Sequence, residues 1–144
     1  MIPALLHVLI SSSLEISRRQ IVASVTVRFL GRRSDALDTI AGEVTAFEAS
    51  DHKSLAIIAR TQKDAAKLHD DLVARGFETR LLDATSTGLS TGAIVCTAHL
   101  AKGLEFDRVI IPDASAANYR TEMDRNLLYV ACTRAMHRLT VVAV

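Results

Sequence analysis

The hydrophobic positions of this chain form alternating strand-like and helix-like groups from about residue 21 onward. Apolar runs rich in β-branched residues occur at 21–30, 54–60, 77–83, 92–98, 107–112 and 137–144. Most are continuous rather than alternating in hydrophobicity, which is typical of strands that are buried on both faces. The pattern therefore predicts a largely parallel sheet with helices on both of its faces.

Helical spacing occurs in three of the segments between these runs, at residues 34–47, 62–76 and 121–136. Their apolar residues recur at intervals of three and four. Thr61 can cap the start of the second helix, and Gly76 can end it. The third helix is apolar on almost every side from Leu127 to Met136, which predicts that it is buried.

Composition supports one α/β domain. The chain has 144 residues, of which 49% are hydrophobic and only 4% aromatic, so a substantial aliphatic core is expected. We assign the domain to residues 21–144 and leave 1–20 as a segment without a clear assignment. The formal net charge of +1 provides no general attraction to polyanions, so any such contact must be local.

The location predicted from the sequence is cytoplasmic, without a membrane anchor. Cys96 and Cys132 both lie in apolar runs, which suits reduced thiols in a core. The apolar stretch at residues 1–10 is too short to span a membrane, and it has no basic segment before it.

Two kinds of site are disfavoured by the motifs. The small-residue segment 84–92 lacks the Gly-Lys-Ser/Thr of a phosphate-binding loop, a motif that occurs nowhere in the chain, so we interpret it as a plain loop. The spacings Cys96-x₂-His99 and Cys132-x₄-His137 are compatible with zinc. Because both cysteines lie in regular apolar segments, however, buried thiols are the favoured interpretation, and no metal site or cysteine nucleophile is predicted.

Three polar features do not fit the local apolar patterns. Arg60 follows a buried strand, where it can contact a bound phosphate or be an ordinary surface arginine. Arg134 continues an apolar helix face, so it needs either a phosphate or a carboxylate of this chain as its partner. The third feature is a strand-to-loop junction, which can be a solvated turn or a binding site; its polar residues are Thr97, His99, Lys102 and Glu105.

The same segments resemble motifs of superfamily 1 DNA helicases of the UvrD/Rep type. TAHLAKGLEFDRVIIP (97–112) resembles the fifth helicase motif and DRNLLYVACTRAMHRL (124–139) the sixth, while IIARTQ (57–62) resembles the fourth. The branch typified by the RNA-polymerase-associated protein HelD is the most similar. SSSLEI (11–16) resembles a degraded RST-x-EI segment, with a serine where the family has arginine.

This resemblance implies a RecA-like three-layer α/β sandwich, the second motor domain of an ATP-dependent DNA helicase or translocase. ATP and Mg²⁺ would be held mainly by an N-terminal RecA-like domain, so this chain alone is expected not to hydrolyse ATP. The implied roles are γ-phosphate contacts by Arg60 and Arg134, nucleotide contacts by Gly103 and Glu105, and single-stranded DNA contacts by Thr97, His99 and Lys102. Ala59 stands where relatives often have an adenine-stacking tyrosine.

Two alternatives from other functional classes remain at this stage. The domain can be a non-catalytic interaction module that docks to RNA polymerase or another partner. It can also be a stand-alone nucleotide-binding regulator, which predicts micromolar affinity of this chain for ATP.

Overall fold

The computed structural model describes residues 24–30, 32, 34–83 and 91–143. Within these ranges, strands and helices alternate along the chain. In order they are β1 (Ser24–Phe29), α1 (Ser34–Glu48), β2 (Ser54–Ala59), α2 (Gln62–Ala74), β3 (Thr79–Leu81), β4 (Gly92–Thr97), α3 (Ala98–Ala101), β5 (Phe106–Ile111), α4 (Glu122–Cys132) and β6 (Ala135–Ala143). None of the helices described is long and apolar enough for a membrane crossing.

The strands form one sheet in the order β1-β6-β5-β2-β4-β3, and every pair is parallel. The predicted parallel sheet is therefore confirmed. Because all strands run the same way, the sheet has one carboxyl edge, where β2, β4 and β5 end, and one amino edge, where β5 and β6 begin. Ala59 and Thr97 are paired across β2 and β4, which places the residues that follow them side by side at the carboxyl edge.

Helices cover both faces of the sheet, each over its own hydrophobic cluster. On one face, Ile40 and Val44 of α1 and Leu72 of α2 pack against β2, β4 and β5. On the other face, α3 and α4 pack against the opposite sides of the same strands, with Leu128 and Ala131 in the cluster. This gives the three layers that the sequence predicts.

Both ends of α2 agree with the prediction. The Thr61 hydroxyl accepts a hydrogen bond from the Asp64 N–H at 3.1 Å, so it caps the helix. At the other end, Gly76 has φ +92°, and the N–H groups of Gly76 and Phe77 bond to the Val73 and Leu72 carbonyls. This pair of bonds is a Schellman motif, which needs a residue with positive φ and so favours glycine.

The predicted limits of the last helix and strand are wrong. Instead of reaching residue 136, α4 ends at Cys132, and β6 begins at Ala135. The reason is sheet pairing: the Phe106 N–H bonds to the Arg134 carbonyl at 2.8 Å, which draws that residue into the β5–β6 ladder. The short helix α3 was not predicted, and β3 is shorter than the apolar run 77–83.

Residues 1–23 and 84–90 lie outside the described residues. The proposed N-terminal segment 1–20, the SSSLEI resemblance and most of the loop at 84–92 fall within these ranges. The domain boundary at residue 21 therefore stays a prediction.

A buried carboxylate joins α1 to the sheet. Glu43 is only 8% exposed, and its oxygens lie 3.7 Å from Arg28 of β1 and 3.6 Å from Arg138 of β6. The Thr140 hydroxyl donates to the same carboxylate at 3.4 Å. The neighbouring Arg108 has a lowered pKa because of burial and the charge of Arg138. Glu43 is thus the negative centre of a mainly cationic layer under α1.

Candidate functional site

The polar segment between β4 and β5 runs from the carboxyl edge of the sheet to its amino edge. Thr97 ends β4, and α3 follows immediately, with Ala98 and Ala101 buried against the core. The chain then turns at Gly103, which has φ +82°, and the Leu104 N–H bonds back to the Ala101 carbonyl at 3.0 Å. Buried alanines and a left-handed glycine thus hold the crossing segment against the domain.

The predicted site residues of this segment differ in their exposure to solvent. His99, Lys102 and Glu105 are exposed, whereas Thr97 is 7% exposed. A Cβ added at Gly103 would meet no atom within 4 Å. Positive φ, rather than crowding within this domain, is therefore the reason for glycine at this position.

Arg134 lies in the turn between α4 and β6, at the amino edge, and not on a helix face as the sequence predicted. Its Nε and Nη2 donate to the Thr133 hydroxyl at 3.3 and 3.0 Å. Its Nη1 lies 3.5 Å from the Leu104 carbonyl oxygen. Among the described residues all of these partners are uncharged, so within this part of the chain Arg134 has no ion pair.

Arg60 lies at the carboxyl edge, immediately after β2. Its Nε donates to the Asn118 amide oxygen at 2.8 Å, and its Nη1 is 3.8 Å from a carboxylate oxygen of Asp124. Asp124 in turn accepts hydrogen bonds from the Thr121 and Arg120 backbone, which together with Arg60 lower its pKa. Arg60 therefore joins the end of β2 to the start of α4.

The structure does not bring the two predicted phosphate-binding arginines together. Arg60 is bound near the first turn of α4, and Arg134 follows the last turn. The helix has 11 residues, which corresponds to about 16 Å of rise. Within this domain the two guanidinium groups are therefore held at opposite edges of the sheet, and the implied contact of both with one γ-phosphate stays a prediction.

A cavity of about 300 Å³ opens beside Arg60 at the carboxyl edge. Its floor is apolar and includes Leu37, Ile40 and Leu68, while its polar wall includes Arg60 and Asn118. The cavity shows that the space beside Arg60 is on the α1–α2 side of the sheet, away from Arg134.

The possible zinc ligands are not clustered. Both cysteines are buried in the core, and burial raises the pKa of each thiol to about 12. By contrast, His99 is exposed on α3, and His137 stacks on His52 at the amino edge with ring centroids 5.1 Å apart. Over the described ranges, no three His, Cys, Asp or Glu residues are arranged to hold a metal ion.

Sequence reasoning missed several residues that organise these groups. Thr133, Asn118 and Asp124 position the two arginines, and Glu43 anchors α1. One signal was available for Asp124: the spacing Thr121-x-x-Asp124 is that of a capping box, which the structure contains. Asn118 belongs to an irregular loop, where no periodic pattern indicates a partner.

Comparison with solved structures defines the class of the domain. The chain is similar in structure to the UvsW helicase of bacteriophage T4, with a TM-score of 0.56, 11% identity, and coverage of 81% of this chain and 45% of that one. It is also similar to the C-terminal domain of the DEAD-box protein Dbp5, with a TM-score of 0.52, 15% identity, and coverage of 85% and 75%. Both likenesses concern the fold alone, which is the RecA-like fold of helicase motor domains.

A nearer relative places the chain in a family. The C-terminal domain of a possible DNA helicase from Lactobacillus plantarum WCFS1 shares 36% identity and a TM-score of 0.72, over 92% of this chain and 81% of that one. The family model of the UvrD-like helicase C-terminal domain matches residues 92–142, which include both long motifs. The chain therefore belongs to the UvrD-like helicase C-terminal domain family. Among curated proteins, none matches the sequence.

Proposed function

We propose that this chain is the second motor domain of an ATP-dependent DNA helicase or translocase, and that Arg134 is its arginine finger. The observation that carries the proposal is the state of Arg134 at the amino edge, half-buried with only uncharged partners among the described residues. A half-buried guanidinium without a carboxylate partner is stabilised when an anion meets it. A nucleotide held by a first motor domain would supply that anion.

The neighbours of Arg134 fit a half-site for a nucleotide. The carbonyl of Leu104 contacts its guanidinium, and Glu105 is the next residue along the chain, exposed just before β5. A carboxylate at this position can accept hydrogen bonds from ribose hydroxyls. Gly103 leaves the turn open, with no side chain to obstruct an approaching nucleotide. ATP would supply the energy for movement, with Mg²⁺ held mainly by the first domain.

We assign contact with single-stranded DNA to the exposed residues His99 and Lys102. They lie on the same crossing segment that ends at Glu105, so DNA and nucleotide would meet two ends of one short stretch of chain. Such contacts bind the backbone of DNA without reading its sequence. Thr97 is buried, so we assign it to holding the end of β4 in place. Arg60, at the carboxyl edge, is assigned to this DNA-facing side and not to the γ-phosphate.

The proposed role of Arg134 can be tested by measuring ATP turnover. The protein to use is the helicase in which this domain is joined to a first motor domain. Arg134→Ala is expected to lower single-stranded-DNA-stimulated turnover by about 10³-fold, since arginine fingers of related NTPases contribute at least this much. Arg134→Lys should restore little, because lysine lacks the bidentate fork. Arg125→Ala, on the same α4 helix, is the matched control and should leave turnover unchanged. Unchanged turnover for Arg134→Ala would contradict the proposal.

DNA binding by the same protein tests the second assignment. A plot of log affinity against log salt concentration has a negative slope. Lys102→Ala should make this slope less steep by about 0.7, the value for one phosphate contact on a single strand. Lys53→Ala is the control, because Lys53 is also exposed but precedes β2 at the amino edge. Equal slopes for Lys102→Ala and wild type would show that Lys102 does not contact the backbone.

The two alternatives predict different results. A module that docks to RNA polymerase without catalysis would bind its partner equally well with Arg134→Ala and show no loss of turnover. A stand-alone regulator would bind ATP with micromolar affinity, whereas half of a shared site should bind weakly or not detectably. Isothermal titration of ATP into this chain alone distinguishes a stand-alone regulator from half of a shared site.

A further inference from the structure

Thr133 has an unusual relation to the guanidinium beside it. Its hydroxyl donates to the Val130 carbonyl at 2.7 Å and accepts from both Nε and Nη2 of Arg134. A hydroxyl has one donor and two acceptor sites, so these three bonds use it completely. The residue is 8% exposed, which leaves its hydroxyl oxygen little contact with water. Thr133 is therefore fixed by α4 on one side and fixes Arg134 on the other.

The same bonds decide which side of the guanidinium stays available. Arginine has five N–H donors; here Nε and one N–H of Nη2 point to Thr133, and one N–H of Nη1 points to the Leu104 carbonyl. Within the described residues, one N–H on each of Nη1 and Nη2 is left. Because Thr133 occupies the Nε side, the remaining donors belong to the two terminal nitrogens, which can bind two oxygens of one phosphate.

We propose that Thr133 is a positioning residue that orients Arg134 for end-on, two-point contact with the transferring phosphate. This inference rests on the proposed arginine role. An arginine that swings freely must be ordered in each catalytic cycle, whereas one held by a buried hydroxyl is ordered beforehand. Because the bonds of the Thr133 hydroxyl go to the Val130 carbonyl and to Arg134, we assign its effect to Arg134.

Substitution of Thr133 in the two-domain helicase tests the inference. Thr133→Val keeps the shape and removes the hydroxyl, and it is expected to lower kcat for ATP by about 10- to 100-fold with little change in KM. Thr133→Ser restores the hydroxyl and should recover most of the loss. In an Arg134→Ala background, Thr133→Val should have no further effect. If the valine variant does not fold, Thr133→Ala replaces it with the same expectations.

Thr140→Val is the matched control. It also removes a buried hydroxyl from the same region of chain, 1% exposed and bonded to Glu43, but it has no contact with Arg134. Its kcat should equal that of wild type. Affinity for ADP with aluminium fluoride, a mimic of the transferring phosphate, should fall in Thr133→Val while affinity for ADP alone is kept.

Four results would overturn the inference. Turnover of Thr133→Val equal to that of Thr140→Val would show that the hydroxyl is not needed. An equal loss in the Arg134→Ala background would show a purely structural effect. If Arg134→Ala lowers turnover and Thr133→Val does not, only the role of Thr133 fails. If Arg134→Ala itself leaves turnover unchanged, the arginine proposal fails and the role of Thr133 fails with it.

Discussion

Removing the charge of Glu43 should destabilise the fold without touching the proposed site. Glu43→Gln keeps the side chain's shape, and it leaves Arg28 and Arg138 without their common carboxylate. The lost pairs are at 3.7 and 3.6 Å, and gross attraction at such distances is about 4 kcal/mol each for an effective dielectric constant near 20. Much of this is offset by the desolvation of the charges.

The exposure of the two arginines refines the expected loss. The Arg28 side chain is 51% exposed and regains water easily, so its pair contributes little. Arg138 is 33% exposed and would remain partly desolvated. We therefore expect a loss of about 2 kcal/mol, less than the 3–5 kcal/mol of a fully buried broken pair.

Urea unfolding followed by circular dichroism measures this loss. With an m-value of about 2 kcal/mol/M, the midpoint should fall by about 1 M while m stays constant. Glu48→Gln is the control, since Glu48 is exposed on the same helix, and it should change stability by less than about 0.5 kcal/mol. If the free energy of unfolding of Glu43→Gln also lies within about 0.5 kcal/mol of the wild-type value, the buried carboxylate does not stabilise the fold.

Three further outcomes follow from local features. Thr61→Ala should cost about 1 kcal/mol in urea unfolding and Thr61→Ser much less, because the α2 cap needs a hydroxyl; equal stability of the two variants would refute the cap. Gly103→Ala should cost about 1 kcal/mol through its positive φ, whereas Gly42→Ala inside α1 should stabilise by about 0.5 kcal/mol; identical effects would contradict the strain argument. Cys96 and Cys132, whose pKa values are raised to about 12, should react with a thiol reagent at pH 8 only after unfolding, and prompt reaction of either in the native protein would show that it is accessible as thiolate.

Elements that depend on local interactions or on the periodicity of hydrophobic residues could be predicted from the sequence. The parallel order followed from continuous apolar strands, and the limits of α2 followed from Thr61 and Gly76, because caps depend on residues within one turn. The end of α4 could not be predicted in this way. The helical spacing that includes Cys132 continues past Arg134 to Met136, and pairing of Phe106 with Arg134 in the sheet decides where the helix stops.

The candidate site shows the same division. The motifs indicated two segments that the structure places next to each other at the amino edge, where Arg134 contacts the carbonyl of Leu104, the neighbour of Glu105. What the motifs could not provide was the direction in which each side chain is held. Arg60 is turned to Asn118, a loop residue 58 positions away, and such a contact leaves no periodic signal in the sequence.

The pairing of β1 with β6 has a consequence for the synthesis of the protein. Ser24 is aligned with Arg138, and the outer strand β1 has β6 as its neighbour in the sheet. During translation, β1 therefore leaves the ribosome long before its partner exists, and its backbone N–H and C=O groups must stay hydrated or be covered by other factors until β6 is made. Pairing between two strands that lie so far apart in the sequence is slow. Chains interrupted before β6 should accordingly expose an unpaired strand and be prone to aggregation.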